Sequence, residues 1–153
     1  MKPLRACEVL QNMEQYANKT VLVLGRFSFR ENGRFLGEKA CTQELKRGDF
    51  TWPSVMRVLF DSDAGPKAPE PLAIDAPAVY QLLSVLKQTT SLTRFRFGTS
   101  SYDRWALIYG KLQPTPEFSK SVRPDTRAAK EFEPAPAQIV CRSNAMVIFL
   151  ADQ

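Results

Sequence analysis

Apolar residues fall at Ala6, Val9, Leu10, Met13 and Ala17, the spacing of one helical face, with Pro3 ahead and Asn18 behind as start and stop signals. A short N-terminal helix is predicted. From Thr20 the pattern changes: Thr20 to Phe29 is dense in β-branched and aromatic residues, Glu31-Asn32-Gly33-Arg34 follows, and Phe35 to Thr42 forms a second such run. Asn-Gly between two strand-like runs predicts a hairpin. Val55 to Phe60 reads as a third strand, ended by the turn formers Asp61-Ser62-Asp63-Ala64-Gly65-Pro66. Asp75 is placed to cap a helix over 76–88, whose apolar positions Val79, Leu82, Leu83 and Leu86 share one face, with Pro77 tolerated in the first turn. Leu92 to Phe97 predicts a short strand and Trp105 to Leu112 a longer one. Gln138 to Arg142 with Ala145 to Leu150 predicts a last strand broken or bulged at Ser143-Asn144.

Three strands, a helix and then two or more strands is the element order of a five-stranded Greek-key barrel of the oligonucleotide/oligosaccharide-binding (OB) type, in which the helix lies between strands three and four. A local echo supports it. Val21-Leu22-Val23-Leu24-Gly25-Arg26-Phe27 and Ala106-Leu107-Ile108-Tyr109-Gly110-Lys111-Leu112 share an apolar run, a glycine, a base and a large apolar residue. A glycine inside a strand suits the bends of a small barrel. The expected fold is therefore mainly β, an OB-like barrel with two helices, spanning 1–153 as one domain. Val21, Val23, Val58, Ile108 and the apolar face of helix 76–88 should be buried.

The segment Glu14-Gln15-Tyr16-Ala17-Asn18-Lys19-Thr20, the run Val21 to Phe27, and the ending Ala137-Gln138-Ile139-Val140-Cys141-Arg142-Ser143 resemble a group of uncharacterised, mostly exported bacterial proteins with OB-like β-barrels. The match covers the first 42 residues and about the last 20. Its motifs are structural, so the resemblance implies a fold and export and carries no catalytic residues.

At 153 residues a single core buries roughly two-thirds of the unfolded chain's surface. The longest apolar run, Ala145 to Ala151, is far short of a membrane span, and nothing at the start resembles a signal peptide. Two readings of compartment follow: a periplasmic or secreted protein whose signal is absent from this chain, which the resemblance favours, or a cytoplasmic one. If the protein is exported, Cys7 and Cys41 are the expected disulfide, because the N-terminal helix must dock near the end of strand two, and Cys141 is left over. A net charge of +5 mildly favours anionic partners.

The chain has no histidine. Ser-His-Asp and Cys-His arrangements and histidine-bearing metal motifs are thereby excluded within it. No phosphate-cradling glycine motif occurs, and the three cysteines form no C-x-x-C pair, so neither nucleotide, zinc nor any other cofactor is expected. Asp61 and Asp63 read as a solvated turn rather than the start of a metal loop. Asn18-Lys19-Thr20 is formally a glycosylation sequon. A non-enzyme is expected.

The candidate site is the first hairpin. With Asn32-Gly33 as the turn, Arg30 opposes Phe35, Ser28 opposes Gly37 and Arg26 opposes Lys39, all on one face. Arg26, Arg30, Phe35 and Lys39, with Arg34 at the turn, are expected to be exposed together as a ligand platform, while Glu38 lies near the barrel rim on the other face. The segment from Pro114 to Ala137 holds five of the eleven prolines and is expected to be a long ligand-contacting loop pinned by Phe118 and Phe132. Its charges cancel. Lys120, Arg123, Arg127 and Lys130 oppose Glu117, Asp125, Glu131 and Glu133, which makes it a poor clamp for phosphates. The function expected is a non-catalytic binding module for a protein, a glycan or a small ligand, with a single-stranded nucleic-acid binder as the alternative.

Overall fold

The computed structural model describes residues 1–30, 33–38, 41, 43, 45–69, 72–89, 102–120, 135–142 and 147–149. The chain begins with a two-residue strand, β1 (Leu4–Arg5), followed by α1 (Ala6–Gln11) and α2 (Met13–Tyr16). The single N-terminal helix read from the periodicity is thus two. Asn12 interrupts it at φ −122° and ψ 45°, and its side-chain amide donates to the Glu8 carbonyl at 2.7 Å, a local bond that competes with the helical ladder. The apolar face survives the break, since Ala6, Val9, Leu10 and Met13 are all buried.

The barrel strands follow: β2 (Thr20–Arg30) and β3 (Gly33–Gly37), then a small hairpin of β4 (Leu45–Arg47) and β5 (Phe50–Trp52), then β6 (Val55–Phe60). Helix α3 (Ala76–Thr89), β7 (Tyr102–Pro114), α4 (Pro116–Ser119), β8 (Ala137–Cys141) and β9 (Val147–Phe149) complete the order. β2 pairs antiparallel with β3 and β7, β3 with β6, and β7 with β8, while β6 runs parallel to β8. This closes five strands in the order β2-β3-β6-β8-β7, with α3 between β6 and β7, the third and fourth of them along the chain, as in an OB-like barrel. β1 and β9 extend the open edges of β2 and β7. β9 follows β8 along the same edge of β7, both antiparallel to it, with the register offset by four residues between them, so the last strand is interrupted as expected. Leu92 to Phe97, expected as a strand, lies outside the described residues.

Alternation along the paired strands sends Val21, Val23, Phe27, Leu36, Met56, Val58, Ala106, Ile108, Leu112 and Ile139 into the barrel, all of them buried. The strand glycines permit close approach across it. A Cβ on Gly110 would lie 2.7 Å from the Val140 carbonyl oxygen, and one on Gly25 would lie 3.1 Å from that of Gly37. Asp75 caps α3 as expected, its carboxylate accepting the Ala78 N–H at 3.1 Å, and Val79, Leu83 and Leu86 enter the core with Leu82 half-buried beside them.

Cys7 and Cys41 form a disulfide with Cα atoms 5.3 Å apart, tying α1 to the segment that follows β3. Glu38, expected at the rim, is instead 1% exposed and ion-paired to Arg5, which donates through Nε at 3.1 and 3.2 Å to its two oxygens. The Cys7 N–H donates to the same carboxylate at 2.7 Å. The correction has a local cause: β1 pairs parallel with β2 at Val23 and Leu24, which sets Arg5 and the start of α1 over the carboxylate. The Glu38 hydrogen bond, against partial burial, holds the Arg5 guanidinium above its ordinary pKa.

Candidate functional site

The first hairpin forms with a register two residues tighter than the Asn-Gly turn implies. Arg26 faces Gly37, Ser28 faces Phe35 and Arg30 faces Gly33. A shift of two leaves each side chain on its expected face. What changes is exposure. Arg26 is 1% and Phe35 0% exposed, so the expected accessible platform is corrected to a covered surface. Trp105 stands opposite Arg26 on β7, the Arg26 Nη2 donates to the Ser28 hydroxyl at 2.9 Å, and Phe35 packs with Val55 and Ala135 beneath the Arg57 guanidinium, 5.1 Å from its ring. Arg34 projects from the opposite face, half-buried between the rings of Phe29 and Phe60 at 5.0 and 4.9 Å. The side chain of Arg30, and Lys39 entirely, lie outside the described residues. From Val21 to Ser28, β2 is thus buried on both faces, and a polar alternation there does not mean a wet one.

The concave surface lies instead where the proline-rich segment leaves the barrel. Asn18 ends the N-terminal helical region at φ 62°, a left-handed conformation that asparagine tolerates better than most residues. Its N–H donates to the Leu112 carbonyl at 2.7 Å, and the Leu112 N–H returns to Lys19 at 3.0 Å. One residue on, Gln113 pairs with Gln138 of β8, and the Gln138 amide donates to the Gln113 side-chain oxygen at 2.6 Å. Pro114 ends β7 and Pro116 opens α4, a first-turn position that suits proline. Thr115 ties the outgoing chain to the returning one: its N–H donates to Pro136 at 2.9 Å and its hydroxyl to Ala135 at 2.6 Å.

Phe118 pins α4, as expected. It is 1% exposed and meets Trp52 edge-on at 5.6 Å, and the Arg47 guanidinium sits 4.0 Å from its ring centroid. Trp52 and Arg47 belong to the β4–β5 hairpin, which the sequence reading missed. Gly48-Asp49 between Leu45-Lys46-Arg47 and Phe50-Thr51-Trp52 was the available signal, because a left-handed glycine, here at φ 62°, suits a two-residue hairpin loop. Phe132 and the rest of 121–134 lie outside the described residues.

Between these elements lies a groove of about 620 Å³ lined by Asn18, Gln113, Pro114, Thr115, Pro116, Ser119 and Gln138. Its described lining is amide, hydroxyl and proline ring, without a charged side chain. Neither a protein family, nor a curated protein, nor a solved structure matches the chain.

The Asp61 carboxylate accepts the N–H groups of Asp63 and Ala64 at 2.9 and 3.0 Å, and those two bonds, the Ala64 bond first, hold its pKa below the ordinary value. It serves the turn. Among the described residues no three histidine, cysteine or carboxylate side chains are placed to share a metal ion, and no helix is long and apolar enough to cross a membrane.

Cys141 is fully buried, and burial pushes its thiol from 9.0 to about 11. Its pKa is raised by folding, so the stability it contributes is complete below about pH 9 and declines as pH rises toward about 11, where the unfolded thiol ionises first. Native protein is expected to react slowly with an aromatic disulfide reagent at pH 8 and denatured protein at once. Over pH 9 to 11 wild type should lose stability relative to Cys141→Ala. Parallel pH–stability curves for the two proteins would count against this placement.

Proposed function

We propose that this protein is an exported, non-catalytic binding module that holds an uncharged, hydrogen-bonding ligand, whether a protein segment, a glycan or a small molecule, in the groove beside the proline-rich segment. The observation that carries the reading is the groove lining. Asn18, Gln113, Thr115, Ser119 and Gln138 supply donors and acceptors around a concavity of about 620 Å³, within the 300–1,000 Å³ typical of ligand sites. Its walls are held by barrel strands and by the anchored α4. Export is supported by the resemblance to exported barrel proteins and by the geometry of the Cys7–Cys41 pair, since disulfides persist in oxidising compartments. The single-stranded nucleic-acid alternative drew its support from an accessible face bearing Arg26 and Phe35, and both side chains are buried.

Salt separates the two readings. A ligand held by neutral hydrogen bonds should keep its affinity within about twofold between about 50 and 200 mM salt, whereas binding through many phosphate contacts falls by about a thousandfold or more. Ser119→Arg, an exposed position in α4, should fill the groove and abolish binding without changing thermal stability. Tight binding of a labelled single-stranded oligonucleotide at about 50 mM salt, unaffected by Ser119→Arg, would replace this reading with the nucleic-acid one.

A further inference from the structure

We infer that the groove takes a neutral saccharide, recognised through adjacent hydroxyls by the Gln113–Gln138 amide pair. This rests on the binding-module reading and narrows it to one ligand class.

The amide pair is the starting point. The bond from the Gln138 Nε2 to the Gln113 Oε1 uses one donor and one acceptor and leaves the Gln113 NH₂ and the Gln138 carbonyl oxygen as a further donor and acceptor on the same pair. Rotating both amides gives the same complement with the residues exchanged. A donor and an acceptor carried on two directly paired residues match two neighbouring hydroxyls, one accepting and one donating. Asn18 and Ser119 add an amide and a hydroxyl along the same groove. The rings of Pro114 and Pro116 offer apolar faces on which the C–H face of a sugar ring can lie.

The competing neutral ligand is an extended peptide, which docks on a strand edge through main-chain bonds. That edge is closed here. The backbone groups of Leu112 already bond to Asn18 and Lys19, and the Thr115 N–H bonds to Pro136. Pro114, the next residue directed to the same edge as Leu112, has no N–H to offer. Anionic ligands find no cation among the described lining residues. Side-chain amides and hydroxyls are what remain for recognition, and those suit a polyhydroxylated ligand.

The test is a backbone and side-chain-amide NMR titration of the full chain with neutral glucose and N-acetylglucosamine hexasaccharides, a sulfated hexasaccharide and a pool of uncharged decapeptides. A neutral hexasaccharide is expected to shift Asn18, Gln113, Ser119 and Gln138. The double variant Gln113→Leu/Gln138→Leu should weaken that binding about tenfold or more while keeping the wild-type dispersion of the other resonances, because removing both partners of a hydrogen bond is close to neutral for folding. If decapeptides shift the groove and neutral saccharides do not, the saccharide inference is overturned and the binding-module reading survives. Preference for the sulfated probe, or saccharide shifts outside the groove that the double variant leaves unchanged, also overturns it. Silence of every groove resonance with every probe overturns both.

Discussion

Replacing Cys7 and Cys41 together by alanine is expected to lower the free energy of unfolding by about 3 to 4 kcal/mol. The two residues are 34 apart in sequence, and closing a loop of that length removes entropy from the unfolded chain worth about 4 kcal/mol in the loop-closure treatment. The folded side of the balance points the same way. The bond holds α1, which carries Ala6, Val9 and Leu10 into the core, against the chain that leaves β3. Urea unfolding of the oxidised wild type, the reduced wild type and the double variant measures it. The last two should coincide, and a loss below about 1 kcal/mol would show that α1 docks without its staple.

Glu38→Ala should cost about 3 kcal/mol. Removing one partner of a buried ion pair costs about 3 to 5 kcal/mol, and the lower end applies because Arg5 is 33% exposed and regains water while Glu38 is at 1%. Part of the loss is the orphaned Cys7 N–H, a buried donor worth about 1 to 3 kcal/mol when left unpaired. Glu38→Gln keeps an acceptor for that N–H, so it should cost less than Glu38→Ala. Because the carboxylate fixes the backbone of a disulfide cysteine, its deletion and that of the disulfide should be less than additive. Chemical denaturation of the single and combined variants decides this, and strict additivity would mean that the two contacts act separately.

Element order was readable because each barrel strand and the α3 helix carries its own period: β2, β6 and β7 in β-branched and aromatic runs, α3 in Val79, Leu83 and Leu86. Even the disulfide followed from where a helix must dock. Exposure was not readable. Ser28 and Arg26 alternate with Val23 and Phe27 as a solvent face would, yet whether such a face is wet depends on chain brought back from far away, here Trp105 and Ala135. A two-residue parallel strand such as Leu4–Arg5 has no period at all, so the partner of Glu38 was invisible. The groove was equally hidden: Asn18, Gln113 and Gln138 come from three distant stretches, and each alone is an ordinary polar residue beside a turn or on a strand. The sequence did mark the neighbourhood of this groove through its prolines, because Pro114 and Pro116 end one element and open another.

The parallel contact between β6 and β8 also has a temporal meaning. Met56 meets Ala137 and Phe60 meets Cys141, so the circle of strands cannot close until residues 137–141 have left the ribosome. β2, β3 and β6 can associate early as a meander of neighbours. The free edge of β6 then stays a template for other strands until residues 137–141 arrive to seal it. A nascent chain of this protein therefore carries an exposed strand edge from the emergence of β6 to that of β8, with one short strand standing between an open sheet and a finished barrel.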